Sequence, residues 1–198
     1  HVRTEHMEPA IDQILSENRV KISQLAQQDE PTWETLAQPM QATEDRLERA
    51  WSVISHLNGV MNSDDLRKVY KNCLEKLTEY STELSQNAEL CEAYKKLAAS
   101  DQFNELSEAQ RKSVDNTLRD FHLGGVDLPQ EKKEQYANLS MELSELSNRF
   151  SDNVLDATQH WFKHITDVEE LAGVPETALD GAKQAAQQKD LDGYVITL

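Results

Sequence analysis

The chain has 198 residues and a mass of 22.6 kDa, which is within reach of one domain and at most two. Its 36 Asp+Glu against 20 Lys+Arg leave a net charge of −16, which repels phosphate backbones and anionic lipid surfaces and excludes nucleic acid and membrane as partners. Hydrophobic residues at 38% suffice for a core, yet no apolar run approaches the roughly 18 residues of a membrane span.

The opening HVRTEHMEPA has no apolar segment of a secretory signal and no initiator Met, so a trimmed cytoplasmic chain is expected. Six Gly and five Pro are too few for an all-β chain or a repeated βαβ chain. No two glycines stand in a G-x-G pair, so neither a Walker loop nor a dinucleotide fingerprint can be written.

Helical periodicity runs through nearly the whole chain. A first helix is expected from about Pro9 to Gln27, with Ile11, Ile14, Leu15, Ile22 and Leu25 on one side. A second follows Pro31 and Thr32 and carries the stripe Leu36, Met40, Thr43, Leu47, Ala50, Ile54 and Leu57. Pro39 lies inside it and should kink the early turns or move the true start later. After Ser63, Asp64 and Asp65 suit the positive end of a third helix, striped by Leu66, Val69, Tyr70, Cys73, Leu77, Tyr80 and Leu84.

A shorter helix from about Ala88 to Ser100 presents Leu90, Cys91, Tyr94 and Leu97. Ser107 to Gln110 reads as a capping box opening a helix with Val114, Leu118 and Phe121, closed by Gly124 and Gly125. The longest helix begins at Pro129 and can run to about Ile165, through Tyr136, Leu139, Leu143, Leu146, Phe150, Val154, Ala157 and Trp161. Such a helix spans roughly 54 Å at 1.5 Å per residue, so it must be kinked or serve as a spine for a larger assembly. A second capping box at Thr166 to Glu169 starts a short turn, and Pro175 opens a last helix to about Asp190, through Ala178, Leu179, Ala182, Ala185 and Ala186. The segment Tyr194–Leu198 reads as one strand, and a lone strand has no ladder partner. The fold class is therefore all-α: a single multi-helix bundle domain over 1–198, of about seven helices with one very long helix, ending in a truncated β-strand, a piece of a longer protein.

The chemistry is sparse. Cys73 and Cys91 sit on helix stripes and read as reduced, packed thiols. His160 and His164 in HWFKH have i, i+4 ligand spacing on the long helix, but Trp161 stands where a zincin needs its Glu base. No third ligand is identifiable, although Glu169 and Glu170 are close, so the pair reads as a solvated face, with an adventitious metal site as the alternative. No Glu precedes a His by three residues, no C-x-x-C occurs, and no G-x-S-x-G elbow is present. The residues themselves assign no catalytic, cofactor-binding or metal-binding position.

Longer stretches are more informative. Ser55–Tyr70 (SHLNGVMNSDDLRKVY), Leu77–Gln86 (LTEYSTELSQ), Lys112–Thr158 and Ile165–Leu179 resemble the thimet oligopeptidase and neurolysin family of zinc metallopeptidases, as does the opening Val2–Ile11. The resemblance covers essentially the whole chain. It implies an N-terminal helical domain forming one wall of a deep channel in a mainly helical enzyme roughly three times this length. It also implies zinc held by H-E-F-G-H and a later Glu. None of those positions occurs here, and HWFKH is not that motif, so an inactive fragment is expected. The implied partners are short peptide substrates and the protein's own C-terminal catalytic domain, with a monomeric parent. Tyr194–Leu198 would then pair with a strand beyond the end of the chain. The excess of carboxylates is either a solubilising surface or a field favouring basic peptides. The rival reading is a free-standing acidic helical interaction module.

Overall fold

The computed structural model describes residues 2–197. They form eight α-helices: α1 (Thr4–Ala26), α2 (Gln38–Val60), α3 (Asp64–Ser85), α4 (Ala88–Ala98), α5 (Asp101–Glu105), α6 (Glu108–Leu123), α7 (Gln130–His160) and α8 (Glu176–Gln187). A two-stranded antiparallel sheet joins β1 (Phe162–Ile165) to β2 (Tyr194–Thr197). The chain divides into two compact units, residues 1–145 and 146–198, with the boundary inside α7.

The first unit is built on α1, which packs against α2, α3 and α4, while α4 packs against α6. Met7, Ile11, Leu15, Ile22 and Leu25 of α1 are buried with Leu36, Met40, Ile54, Leu66, Cys73, Leu90, Leu97, Val114 and Phe121 in one core. Most of the expected stripes are thus the packed faces, because a 3-4 alternation lays apolar side chains along one side of a helix. α1 begins at Thr4 rather than Pro9, and Pro9 is accommodated in its second turn, between buried Met7 and Ile11. The short α5 has only five residues and no buried position, too little for periodicity to reveal.

Caps define the helix starts. Ser63 accepts from the Leu66 amide and Asn87 from the Leu90 amide. Ser107 and Gln110 exchange side-chain-to-backbone bonds of 3.3 and 3.0 Å, the expected capping box. Thr32 caps a π-helical turn, Trp33–Ala37, that precedes α2. Of the two effects expected of Pro39 the structure shows the later start: α2 begins at Gln38 with Pro39 in its first turn, after the π-helical turn. At the end of α6, Gly124 lies so close to α3 that a Cβ there would collide with the Ser85 side chain.

The second unit corrects two expectations. The long helix ends at His160, not near Ile165, and Phe162–Ile165 is a strand. The strand Tyr194–Thr197 is not alone: it pairs with β1 in the register Phe162↔Thr197 to Ile165↔Tyr194. The expected Leu198 end of that strand lies outside the described residues. β-branched and aromatic residues in both segments favour the pleated, half-buried state, and pairing buries Ile165 and Val195. Against this ribbon lies α8, which contributes buried Ala182 and Ala186. Gly193 enters β2 at φ +86°, and a Cβ there would meet the Ile165 carbonyl at 2.5 Å. The short turn at Val168–Leu171 is a 3₁₀ helix capped by Asp167, not by Thr166; the Asp167 carboxylate accepts from the Glu169 amide at 2.9 Å.

Candidate functional site

His160 and His164 do not share a helix face. His160 is the last residue of α7, where its Nδ1 donates to the Asp156 carbonyl at 2.7 Å. His164 lies on β1, where its Nε2 donates to the Asp192 carbonyl at 2.6 Å. The i, i+4 spacing has ligand geometry only on a continuous helix, and that helix stops between them. Among the described residues, no group of three His, Cys, Asp or Glu side chains could hold a metal ion.

Cys73 and Cys91 are free and buried. Burial pushes the Cys73 thiol up to about 11, with the Glu8 carboxylate adding to the shift. Burial likewise raises the Cys91 thiol. Neither thiol is disposed to act as a nucleophile, because the thiolate is the reactive form.

A cavity of about 250 Å³, walled by apolar as well as polar side chains, opens between α2, α3, α4 and α6. Its lining includes Glu44, Ser81, Ser85, Tyr94, Thr117 and Asp120 and no basic side chain. Burial raises the Glu44 carboxyl above its ordinary range. A single oxygen of Asp120, Oδ1, accepts from Arg119 Nε at 3.0 Å and Nη2 at 2.8 Å, and the Ser85 and Thr117 hydroxyls donate to the Thr82 and Ser113 carbonyls. The cavity is acceptor-rich, and no base there is hydrogen-bonded to a nucleophile. These residues come from separate helices, and nothing in their spacing distinguishes them from the other solvated acids.

The helix α7 is the least ordinary feature. It has no buried residue. In the first unit it is tied to α3 by polar groups: Thr78 Oγ1 donates to Ser144 Oγ at 3.0 Å, and Lys71 pairs with Glu145 at 3.3 Å. Leu139 and Leu143 on the same helix are more than 60% exposed. In the second unit Leu146, Phe150 and Val154 are also exposed, and Leu146 and Phe150 line a shallow depression together with Ser147, Arg149, Ser151 and Asn153. The stripe that the sequence marked as a packing face looks into solvent.

The family model for the N-terminal domain of neurolysin/thimet oligopeptidase matches residues 11–133. The chain belongs to this family. It is 46% identical, over its whole length, to oligopeptidase A of Haemophilus influenzae, and covers 29% of that protein. It is 47% identical over 98% of its length to oligopeptidase A of Escherichia coli K12, again covering 29% of the relative. A probable cytosolic oligopeptidase A of Arabidopsis thaliana is 34% identical over the whole chain. The chain thus spans less than a third of the length of these curated relatives and corresponds to their N-terminal part. No helix among the described residues is long and apolar enough to cross a membrane.

Proposed function

We propose that this chain is the N-terminal helical part, residues 1–198, of an oligopeptidase A-like zinc metalloendopeptidase that hydrolyses short peptides in the cytoplasm as a monomer. The observation that carries the reading is identity near 46% along the entire chain to proteins named oligopeptidase A. In this reading the first unit forms part of the wall that admits short peptides. Zinc belongs to residues outside this chain in this reading; the one histidine pair with ligand spacing, His160 and His164, is split between α7 and β1, each bonded to a backbone carbonyl. The 198-residue chain holds no catalytic residue and is inactive alone. Its net charge of −16 keeps it soluble, and any face turned toward substrate adds a field that attracts basic peptides.

The test compares two polypeptides. The form extended to the length of the relatives should hydrolyse short peptides and lose that turnover on chelation. The 198-residue chain should do neither. A long form without peptide hydrolysis, or a short form with chelator-sensitive turnover, rejects the reading. The alternative of a free-standing interaction module fits less well, because an independent helical domain does not ordinarily turn an apolar helix stripe to water.

A further inference from the structure

We propose that the cavity between α2, α3, α4 and α6 is a binding site for a small organic ammonium ion, a primary amine carried on an apolar body. The cavity lies wholly within the first unit, and the proposal stands apart from the peptidase reading.

The decisive group is the Tyr94 hydroxyl. Tyr94 lines the cavity and is only 4% exposed. Its hydroxyl has no hydrogen-bond partner among the described residues, and the one sealed side-chain polar atom without a partner there is Asn116 Oδ1. The Tyr94 hydroxyl is therefore not sealed: it opens into the cavity. A buried phenol left unbonded is costly, so this position asks for a ligand atom.

The rest of the wall selects the ligand. Glu44 has no hydrogen bond or ion pair among the described residues. As a residue it is exposed, yet packing around its carboxyl raises it. Burial also raises the Tyr94 phenol, and the Glu44 carboxylate adds to that shift, so the two groups sense each other. The Ser85 and Thr117 hydroxyls spend their one proton on backbone carbonyls and have only lone pairs left. Met40, Leu90 and Phe121 supply a buried apolar surface to the same cavity. An anion is repelled here, and a purely apolar ligand gives Tyr94 and Glu44 no donor. An ammonium group brings three donors and the opposite charge, which favours the ionised Glu44 carboxylate. The chain's net charge of −16 draws such a cation in. A cavity of about 150 Å³ can hold a benzene ring. The 250 Å³ found here has room for a ring with a short amine-bearing arm.

The test titrates phenethylamine at neutral pH into the extended protein, labelled at its methionine methyl groups. The Met40 signal is assigned by Met40→Leu. It should shift saturably, while the signal of Met7, which is buried but does not line the cavity, stays in place and reports the intact fold. Phenethyl alcohol, the neutral counterpart, should bind at least about tenfold more weakly, the usual value of a hydrogen bond to a charged group. Glu44→Gln and, separately, Tyr94→Phe should each weaken the amine by about tenfold. Glu131→Gln, which removes the same charge from α7 outside the cavity, should bind like the parent protein. A Met40 signal that does not move, or equal affinity for amine and alcohol, overturns the proposal. So does unchanged affinity in either cavity variant, or equal weakening by Glu131→Gln, which reduces the effect to the general field.

Discussion

The side-chain amide of Gln28 donates to the main-chain carbonyl of Thr35 at 2.9 Å. Thr35 is four residues before Pro39, so this is the carbonyl that a residue with an N–H at position 39 would serve in a regular helix. Gln28 supplies the donor that proline lacks, and the π-helical turn sits across the same carbonyl. Gln28→Ala should cost about 0.5–1.5 kcal/mol in urea unfolding, the usual net value of one hydrogen bond. The same change in a Pro39→Ala background should cost less, because the backbone can then supply the donor. Strictly additive losses would show that the two residues do not share this acceptor.

Gly124 and Gly181 make opposite predictions. A Cβ at Gly124 collides with Ser85, so Gly124→Ala should lower stability by about 1–3 kcal/mol through overpacking between α3 and α6. Gly181 lies inside α8 with nothing within 4 Å of a Cβ, so Gly181→Ala should add about 0.5–1 kcal/mol by helix propensity. Thermal midpoints of the two variants should move in opposite directions; a shift of the same sign contradicts the packing described.

Asn18 is the one buried polar residue among the described core positions. Its Nδ2 donates to the Thr43 carbonyl and to the Tyr80 hydroxyl, both at 3.4 Å. Tyr80→Phe removes one long bond and should cost about 1 kcal/mol or less. Asn18→Asp sets a carboxylate against a carbonyl in the core and should cost about 3 kcal/mol or more near neutral pH, with partial recovery as acid protonates it. Equal denaturation midpoints for the two variants would show that burial does not govern this site.

Two pH limbs follow from named groups. Hydrogen bonds from Lys76 and Asn72 hold the Glu8 carboxyl below its ordinary 4.5. A depressed folded pKa stabilises above 4.5 and loses that contribution as pH falls through the folded value. Glu8→Gln should therefore destabilise at pH 7 and become neutral well below pH 4.5. At the alkaline end, the Cys73 thiol rises from 9.0 to about 11 on folding. The unfolded chain then ionises first, so stability falls as pH climbs from 9.0 toward 11 and the loss levels off above that. Cys73→Ala should be less stable at pH 7 yet show a shallower alkaline limb. Parallel limbs for the variant and the parent chain would reject the assignment to Cys73.

How much was legible differs along the chain. The stripes of α1, α3, α4 and α6 were plain in the sequence, because each helix buries one face in a shared core. The caps at Ser63 and Ser107 were equally plain, since the residues that satisfy the free amides are adjacent. The end of α7 was not. Trp161 and Ile165 continue the helical stripe by spacing, and only the pairing of Phe162–Ile165 with Tyr194–Thr197 shows that they leave the helix. That pairing joins segments some thirty residues apart, a separation that local propensity does not sense. The misplaced histidine pair follows from the same error.

What the amino-acid sequence determined by itself is the helical class, the core faces of the first unit, the strong negative charge and the resemblance to a peptidase family. These depend on periodicity, net charge and residue order, all of which exist before the chain folds. The tertiary structure alone decided which apolar stripes find a partner. Stripe and spacing are alike in α3 and α7, but α3 meets α1 and α2 while the α7 stripe meets water. Periodicity records that a face is apolar. Whether anything covers it depends on contacts between distant segments.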